Sequence, residues 1–422
     1  MVYDNQLMNA LTYAFLLALL LSLAAGLWLT SRQRQNVFSQ RQQVPAPFTD
    51  YISLDAHQKA ADYTVAGLML ERLDLLLSAL MVLAWTLGGG LEWLDRFWSE
   101  RGLSPLSKGV SVILSLIFIT HIVEFPLTIW RTFVVEQRFG FNRTTAGLFF
   151  SDQIREIFLT LLIATPLLFA ILWLMLNQAH WWLTVWLVWS GFSLLMLWAY
   201  PTLIAPLFNR FTRLDDSLLR QRIDELLQRT GFTSNGIFVM DSSRRSGHGN
   251  AYFTGLGRNK RIVFYDTLLK SLNNDEIEAV LAHELGHFHY GHVRTRLLTM
   301  MTLSLAALIL LAWLSKQDWF FHGLGVSKQE PHLALMLLTL CAPVFGFFLR
   351  PIITGFTRRH EYQADNYAAR HADAGQLVNA LLKLYDENAT TLTPDPLYSA
   401  VHDSHPTALA RINNLQHQIT PA

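Results

Sequence analysis

Two histidines one helical turn apart are the side chains of this sequence best suited to chemistry. His283 and His287 lie at positions i and i+4, so both imidazoles would project from the same face of a helix. Glu284 lies beside them. In this His-Glu-x-x-His arrangement, two neutral imidazoles hold zinc and the glutamate takes a proton from a water molecule at the metal. The segment therefore predicts a catalytic Zn2+ site with Glu284 as its base.

The residues around the motif predict a helix. Asn273 can serve as the N-cap with Glu276 in the capping-box position, and the acidic first turn suits the helix dipole. An apolar stripe follows that no proline interrupts: Ile277, Val280, Leu281 and Leu285. The alternative is a surface helix that carries two histidines by coincidence.

A third protein ligand is needed, because catalytic zinc takes three and leaves the fourth position to water. Glu361 is the best candidate. Arg358 and Asp365 share its helix face through i+3 and i+4 spacing, and Asp365 could accept the free ring N–H of a liganding histidine. The alternative is an ordinary amphipathic helix. Three nearby histidines are interpreted as surface or supporting residues rather than ligands: His289, His292 and His360.

Composition places the chain in a membrane. Of its 422 residues, 51% are hydrophobic and 15% are charged, whereas soluble proteins carry about 25% charged residues. The net charge of +1 and the lack of a basic stripe exclude nucleic acid as a partner. The single cysteine, Cys341, excludes an internal disulfide and is interpreted as a packing residue.

About seven apolar stretches are long enough to cross a bilayer, for which about 20 residues suffice. They cover residues 7–30, 65–93, 109–132, 157–176, 181–207, 297–314 and 333–353. A cleaved signal peptide is the alternative for the first stretch. No lysine or arginine precedes that stretch, however, whereas Arg32 and Arg34 follow it, so we expect an uncleaved span.

Loop charges predict the orientation. Arginine and lysine fill the first, third and fifth loops, whereas the fourth, residues 177–180, has neither. The positive-inside rule then places the N-terminus outside and the zinc site and C-terminus in the cytoplasm. The host membrane would be the inner or plasma membrane of a bacterium or an endoplasmic-reticulum-type membrane of a eukaryote. The second and sixth loops fit less well, because they contain Arg101, Lys108, Lys316 and Lys328.

Charged side chains within the spans predict a hydrated interior. Glu71, Arg72 and Asp74 lie in the second span, and His121 and Glu124 lie in the third. Because lipid penalises such groups, they should face the interior of the helix bundle or a wet cavity. The alternative is a set of internal ion pairs that only fix helix packing.

The mostly polar region 210–292 should contain a small catalytic domain. Residues 216–230 predict an amphipathic helix, and 236–240 and 261–265 predict strands. Residues 250–254 predict an edge strand that could bind an extended peptide through its backbone; the alternative is a structural hairpin. We expect an all-α polytopic membrane protein with a small α+β zincin-like domain on the cytoplasmic side, divided into 1–209, 210–292, 293–358 and 359–422.

The pattern Arg358-x-x-Glu361-x-x-Ala364-Asp365, together with the zinc motif, resembles the gluzincin peptidases and in particular their membrane branch, the type I CAAX prenyl endopeptidases. Further segments resemble that branch over about the last three quarters of the chain: 125–127, 132–136, 140–142, 245–253, 259–268 and 404–406. The resemblance implies that the helices enclose a large hydrated chamber into which the zinc site opens.

The resemblance also implies roles for two further groups. Asn250, Ala251 and Tyr252 match a family motif that aligns substrate, and His405 would donate to the developing oxyanion. From the residues alone, a histidine before a proline is an ordinary loop residue, and His402 could take the same role.

These observations predict an integral membrane zinc endopeptidase that acts on a peptide or protein substrate at the lipid bilayer. The resemblance implies a substrate prenylated at a C-terminal cysteine, from which the last three residues are removed. The alternatives are a quality-control protease for misfolded or membrane-tethered chains, a proteolytically silent zinc-binding scaffold, and a transporter or channel. The lack of an internal repeat disfavours the last of these. The oligomeric state is left open.

Overall fold

The computed structural model describes residues 9–254 and 261–419. Two sequence predictions extend outside these residues. The first predicted span begins at Leu7, and the family-like segment 259–268 begins with Asn259 and Lys260, all of which lie outside the described residues.

Within the described residues the protein is mostly helical. The first half contains α1 (Ala10–Ser39), α2 (Leu54–Trp85), α3 (Gly90–Ser99), α4 (Pro105–Trp130), α5 (Gln137–Phe139), α6 (Ala146–Asn177), α7 (Trp181–Ala199) and α8 (Ala205–Phe208). The second half contains α9 (Ser217–Thr230), α10 (Asp266–Ser271), α11 (Asn274–His289), α12 (His292–Leu314), α13 (Asp318–Gly323), α14 (Pro331–Gly346), α15 (Arg350–His371), α16 (Ala374–Glu387), α17 (Pro396–His402) and α18 (Ala408–Ile419). Two π-helical segments join α4 to α5 and α7 to α8: Arg131–Glu136 and Tyr200–Ile204.

Six helical stretches of the described chain are long and apolar enough to cross a membrane: Ala10–Ser39, Pro105–Phe139, Ala146–Asn177, Trp181–Phe208, His292–Leu314 and Pro331–His371. The helix α2, with 32 residues, is a further long helix. Its apolar sequence is interrupted by Glu71, Arg72 and Asp74. The observed number of spans therefore agrees approximately with the predicted seven.

The second predicted span, 65–93, is wrong at its C-terminal end. The helix α2 ends at Trp85, and three consecutive glycines follow at 88–90. Gly89 has a φ of +76°, in the left-handed region that favours glycine. The chain turns there and begins the separate helix α3 at Gly90.

Much of the surface of the membrane helices is exposed. Between 11% and 39% of each apolar window is buried, as expected for helices whose outer faces contact lipid. Arg72 donates hydrogen bonds to the hydroxyls of Thr30 (3.1 Å) and Ser31 (2.7 Å) of α1. Glu71 accepts a hydrogen bond from the Tyr398 hydroxyl at 2.7 Å. These two charged side chains therefore meet polar protein groups rather than lipid.

The mostly polar region 210–292 contains a four-stranded sheet with the order β1-β2-β4-β3. The strands are β1 (Phe211–Arg213), β2 (Ile237–Met240), β3 (Ala251–Thr254) and β4 (Arg261–Tyr265). The strands β2 and β4 are parallel, and β3 runs antiparallel to β4 with Ala251 opposite Phe264 and Thr254 opposite Arg261. The three predicted strands are confirmed, with β3 at the edge of the sheet, whereas the short β1 was not predicted.

An apolar core joins this sheet to the helices that carry the candidate ligands. Leu226 of α9, Phe264 of β4, Leu285 of α11 and Leu381 of α16 are buried together. Tyr367 and Ala368 of α15 belong to the same cluster. This core holds α11 against α15, so the histidine motif and Glu361 lie on adjacent helices.

Candidate active site

The helix α11 begins where the sequence predicts. Asn273 is its N-cap, and its side-chain oxygen accepts the Glu276 N–H at 2.9 Å while the Glu276 carboxylate accepts the Asn273 N–H at 2.8 Å. The predicted capping box is therefore confirmed. Lys383 of α16 also donates to Glu276 at 2.8 Å, which links the start of α11 to α16.

A glycine allows α11 to approach α15 closely. A Cβ atom on Gly286 would lie 2.8 Å from the Cα atom of Ala364, 3.1 Å from its carbonyl oxygen and 3.0 Å from the Cβ atom of Tyr367. Two of these three atoms belong to the α15 backbone, which cannot rotate away as a flexible side chain could. Only a glycine permits this separation, and it brings the Glu361 side chain within reach of the two imidazoles.

His283, His287 and Glu361 converge across this contact. Glu361 Oε2 lies 3.6 Å from His283 Nε2, and Glu361 Oε1 lies 3.4 Å from His287 Nε2. One ligand atom from each residue lies within 4.8 Å of the other two. Glu361 is 4% exposed, and its Oε2 atom is buried without a hydrogen-bond partner. A carboxylate oxygen buried in this way carries a desolvation cost that a metal cation would offset, so the residues fit a metal ion.

Asp365 fixes the ring of His283. The Asp365 carboxylate lies 2.8 Å from His283 Nδ1 and accepts hydrogen bonds from Arg411 at 2.9 and 2.6 Å. An Nδ1–H donated to Asp365 leaves the Nε2 lone pair facing Glu361, which is the tautomer a metal ligand needs. Asp365 therefore lies where the sequence predicts it, whereas sequence reasoning missed Arg411, which has no spacing signal relative to Asp365.

The ring of His287 is held by a different set of contacts from the ring of His283. Its Nδ1 atom lies 2.9 Å from Nδ1 of His292, and His292 Nε2 lies 2.9 Å from the side-chain oxygen of Gln363. The ring of His360 stacks on His292 at 4.0 Å. His292 is therefore a buried supporting residue, and Gln363 is a further contributor that sequence reasoning missed.

Arg358 acts on a different part of the site from the one its spacing predicts. Its Nη1 atom donates to the carbonyl oxygens of Ser399 (3.3 Å), Ala400 (3.3 Å) and Asp403 (3.1 Å). The side chain thus reaches the end of α17 rather than supporting Glu361 or Asp365. It holds the chain that leads to His405.

A cavity of about 510 Å³ opens next to the three converging side chains, and its lining includes Glu284, His405 and Arg411. His405 is exposed, with its Nε2 atom 3.4 Å from Glu361 Oε2. Burial raises the pKa of the Glu284 carboxyl above its ordinary value. A carboxylate with a raised pKa beside a candidate metal site has the proton affinity that a general base requires.

The predicted substrate-binding residues divide between two places. Asn250 and Ala251 line the active-site cavity. Tyr252 lines a neighbouring groove of about 520 Å³ with Phe238 and Arg261, because successive side chains of a strand point to opposite faces.

Both halves of the chain match known protein families. Residues 33–210 match the CAAX prenyl protease N-terminal domain, described as five membrane helices, and residues 213–419 match peptidase family M48. The CAAX prenyl protease 1 homolog of Arabidopsis thaliana is 32% identical over 381 residues, which cover 87% of this chain and 89% of that protein. The chain belongs to the CAAX prenyl proteases of peptidase family M48.

Two further relatives of this M48 peptidase cover most of its length. CAAX prenyl protease 1 of Saccharomyces cerevisiae is 33% identical over 334 residues, or 75% of this chain and 73% of that protein. The crystal structure of S. mikatae Ste24p matches with a TM-score of 0.87 and 28% sequence identity, and covers 97% of this chain and 99% of that chain. The predicted family, fold class and peptidase activity are confirmed: the protein is a multi-pass membrane metalloendopeptidase.

We predict that replacing Gly286 with alanine will disrupt the metal site. The new methyl group must push α15 away by several tenths of an ångström, which should cost about 1–3 kcal/mol of unfolding free energy and lower metal affinity. Metal content after dialysis and thermal unfolding in detergent will measure both effects. Gly191→Ala on α7 is the matched control, because no atom lies within 4 Å of the position that its methyl group would take. A Gly286→Ala protein with wild-type metal content and stability would contradict the close-packing argument.

Replacing Asp365 with asparagine should weaken metal binding by about 10- to 100-fold, because the His283 tautomer is no longer fixed by a carboxylate. Competition with a chromophoric chelator will measure the change. The exposed Asp386→Asn serves as a control for the loss of one negative charge in the same domain. Equal affinities in the two variants would show that Asp365 does not support the metal ligand.

Proposed function

We propose that this peptidase binds Zn2+ through His283, His287 and Glu361. Two ligand atoms about 2.0–2.2 Å from a tetrahedral ion lie about 3.3–3.6 Å apart. Glu361 Oε1 lies 3.4 Å from His287 Nε2, Glu361 Oε2 lies 3.6 Å from His283 Nε2, and one ligand atom from each of the three residues lies within 4.8 Å of the other two. This convergence of two imidazoles and one carboxylate is the observation that carries the proposal. Asp365 and Arg411 support the His283 ring, and the contacts of His292 support His287.

The residues around the cavity have separate roles in peptide hydrolysis. A Zn2+ ion held by His283, His287 and Glu361 would supply Lewis acidity that polarises the scissile carbonyl and lowers the pKa of water. Glu284 takes the proton from the attacking water on its carboxylate and returns it to the nitrogen of the leaving amine. His405 faces the same cavity and donates from Nε2 to the oxygen on which negative charge develops.

The edge strand β3 aligns the substrate. It pairs with β4 on one side, so its other edge can accept the backbone of an extended peptide as an additional strand. Asn250 and Ala251 lead from this edge into the cavity that contains Glu284. Tyr252, on the opposite face of the strand, contributes to the adjoining groove.

We also propose that the substrate is a protein prenylated at a C-terminal cysteine and that cleavage releases the last three residues. The relatives named CAAX prenyl proteases support this assignment. We further propose that the N-terminus lies outside and that the active site and C-terminus lie in the cytoplasm, in agreement with the basic first, third and fifth loops. Residues 210–292 and 359–422 then form one catalytic unit on that side.

Replacing Glu284 with glutamine should leave the metal bound while lowering kcat by about 10²–10⁴-fold, because the amide cannot accept the proton of the attacking water. Zinc content and single-turnover cleavage of a peptide will test both expectations. Glu278→Gln is the control on the same helix, where Glu278 pairs with the exposed Arg229. Near wild-type cleavage by Glu284→Gln would overturn the mechanism.

A farnesylated CAAX peptide should be cleaved with a kcat/KM at least about tenfold higher than its unprenylated twin, because the isoprenoid chain adds apolar surface to be buried on binding. Parallel assays in the same detergent will give the ratio, and Glu284→Gln will establish the background for both peptides. Equal cleavage of the two peptides would instead favour a broad peptidase acting on misfolded or membrane-tethered chains.

A further inference from the structure

The short helix α17 carries the chain toward His405, and the first membrane helix holds its beginning. Asp395 is the N-cap of α17 and accepts hydrogen bonds from Leu397 and Tyr398 N–H groups at 3.0 Å. Arg32 of α1 donates to both Asp395 oxygens, at 3.3 and 2.9 Å, and Gln33 accepts the Asp395 N–H at 2.6 Å. Asp395 is buried. A buried cap held by a bidentate arginine is a rigid attachment.

The second helix, α2, holds the middle of α17. The Tyr398 hydroxyl donates to Glu71 Oε2 at 2.7 Å. The ring of Tyr398 stacks on His402 with 4.4 Å between centroids and 15° between planes. His402 Nδ1 lies 3.7 Å from the other Glu71 oxygen, and His402 also lines the active-site cavity. One acidic side chain of α2 thus faces two aromatic rings of α17.

The end of α17 is held by α15. Arg358 donates to the three carbonyl oxygens described above, and the Thr354 hydroxyl donates to the Ala400 carbonyl at 2.7 Å. Because α15 also carries Glu361, this attachment relates α17 to the metal ligand. Three helices, α1, α2 and α15, therefore define where α17 lies.

We propose that Glu71, acting through Tyr398 and α17, is a positioning residue for the imidazole of His405. Only two residues separate His402 from His405, so a displacement of α17 moves the His405 ring relative to Glu361. An oxyanion donor must be held within about 0.5 Å of its productive position. The inference rests on the proposed function, in which His405 donates to the oxyanion. It also explains why α2 carries an acidic side chain within an apolar sequence.

The test compares Tyr398→Phe and Glu71→Ala with the wild-type protein, full length and zinc-loaded in detergent. Each variant should lower kcat by about 5- to 20-fold through misplacement of the donor, with KM within about twofold and unchanged zinc content. Glu71→Gln retains an acceptor oxygen for Tyr398 and should stay within about twofold of wild type. Asp55→Asn, at the exposed start of α2, is the matched control for the loss of one negative charge on the same helix.

Epistasis with His405→Ala separates positioning from general loss of structure. That substitution should lower kcat by about 10²-fold, and Tyr398→Phe should cause no further loss in its background. Equal fold losses from Tyr398→Phe in both backgrounds would overturn the proposal, as would wild-type kcat in both Tyr398→Phe and Glu71→Ala.

The same measurements distinguish this inference from the proposed function. If His405→Ala is impaired while Tyr398→Phe and Glu71→Ala are both normal, the positioning role of Glu71 is wrong and the oxyanion role stands. If His405→Ala cleaves at the wild-type rate, the oxyanion role is wrong and the inference falls with it. Thermal unfolding of every variant, together with the Glu71→Gln result, identifies any loss of kcat that comes from misfolding.

Discussion

The close approach of α11 and α15 is the constraint on which the active site depends. Glu361 reaches His283 and His287 only because Gly286 has no side chain and lies against the backbone of Ala364. Ala364 is fully buried and small, so both helices present their narrowest surfaces at the contact. The histidines and the carboxylate lie within about one turn of this point on each helix, so the separation of the helices sets the separation of these three side chains. Any metal ion bound by them would therefore depend on how α11 packs against α15.

The helices α1 and α2 hold the short helix α17, which leads to His405. Arg32 and Gln33 of α1 bind the N-cap of α17, and Glu71 of α2 accepts a hydrogen bond from Tyr398. These contacts join residues that are 327 to 363 positions apart in the sequence. Polar groups in an apolar environment are stabilised only when they are paired. The charges of α1 and α2 and the polar groups of α17 satisfy this requirement for each other.

Local signals predicted much of this structure from the sequence. The capping box of Asn273 and Glu276, the apolar stripe of α11 and the edge position of β3 depend on neighbouring residues, and all three are observed. The convergence of Glu361 with the histidines followed from ligand chemistry and family resemblance. The pairing of Arg411 with Asp365 did not, because the two residues are 46 positions apart and only tertiary packing relates them.

Arg358 illustrates a different limit of sequence reasoning. Its spacing from Glu361 and Asp365 correctly indicates a shared helix but says nothing about which partner the long side chain selects. The guanidinium extends away from the acidic residues of its own helix to three carbonyl oxygens at the end of α17. Those carbonyls lie at the C-terminal end of a helix, where the helix dipole favours a cation. The position of α17 determines the hydrogen-bond partners of Arg358, and no periodicity in the sequence reveals that position.

A second cluster of histidine and carboxylates shows why ligand type alone does not define a metal site. Asp95, Glu330 and His332 also offer three closely spaced ligand atoms, but Lys108 and Lys328 bind the same carboxylates. Lys328 lies 2.9 Å and Lys108 3.1 Å from Asp95 oxygens. Burial alone would raise the pKa of Asp95, yet hydrogen bonds from His332, Lys328 and Lys108 outweigh it and hold the pKa well below its ordinary value.

The cluster at Asp95 and the cluster at Glu361 therefore differ in the positive charges that lie next to their carboxylates. Each carboxylate oxygen of Asp95 and Glu330 already has a lysine or histidine partner, so a divalent cation would have to displace ammonium groups from a buried position. Among the described residues, Glu361 has no lysine or arginine in contact, and its buried Oε2 atom has no hydrogen-bond donor. The groups nearest the Glu361 oxygens are the imidazoles of His283, His287 and His405, at 3.4–3.6 Å, and as neutral rings these compensate the negative charge less than an ammonium group would. This difference in the charge of the neighbouring groups, rather than the number of ligands, favours the cluster between α11 and α15 as the candidate metal site.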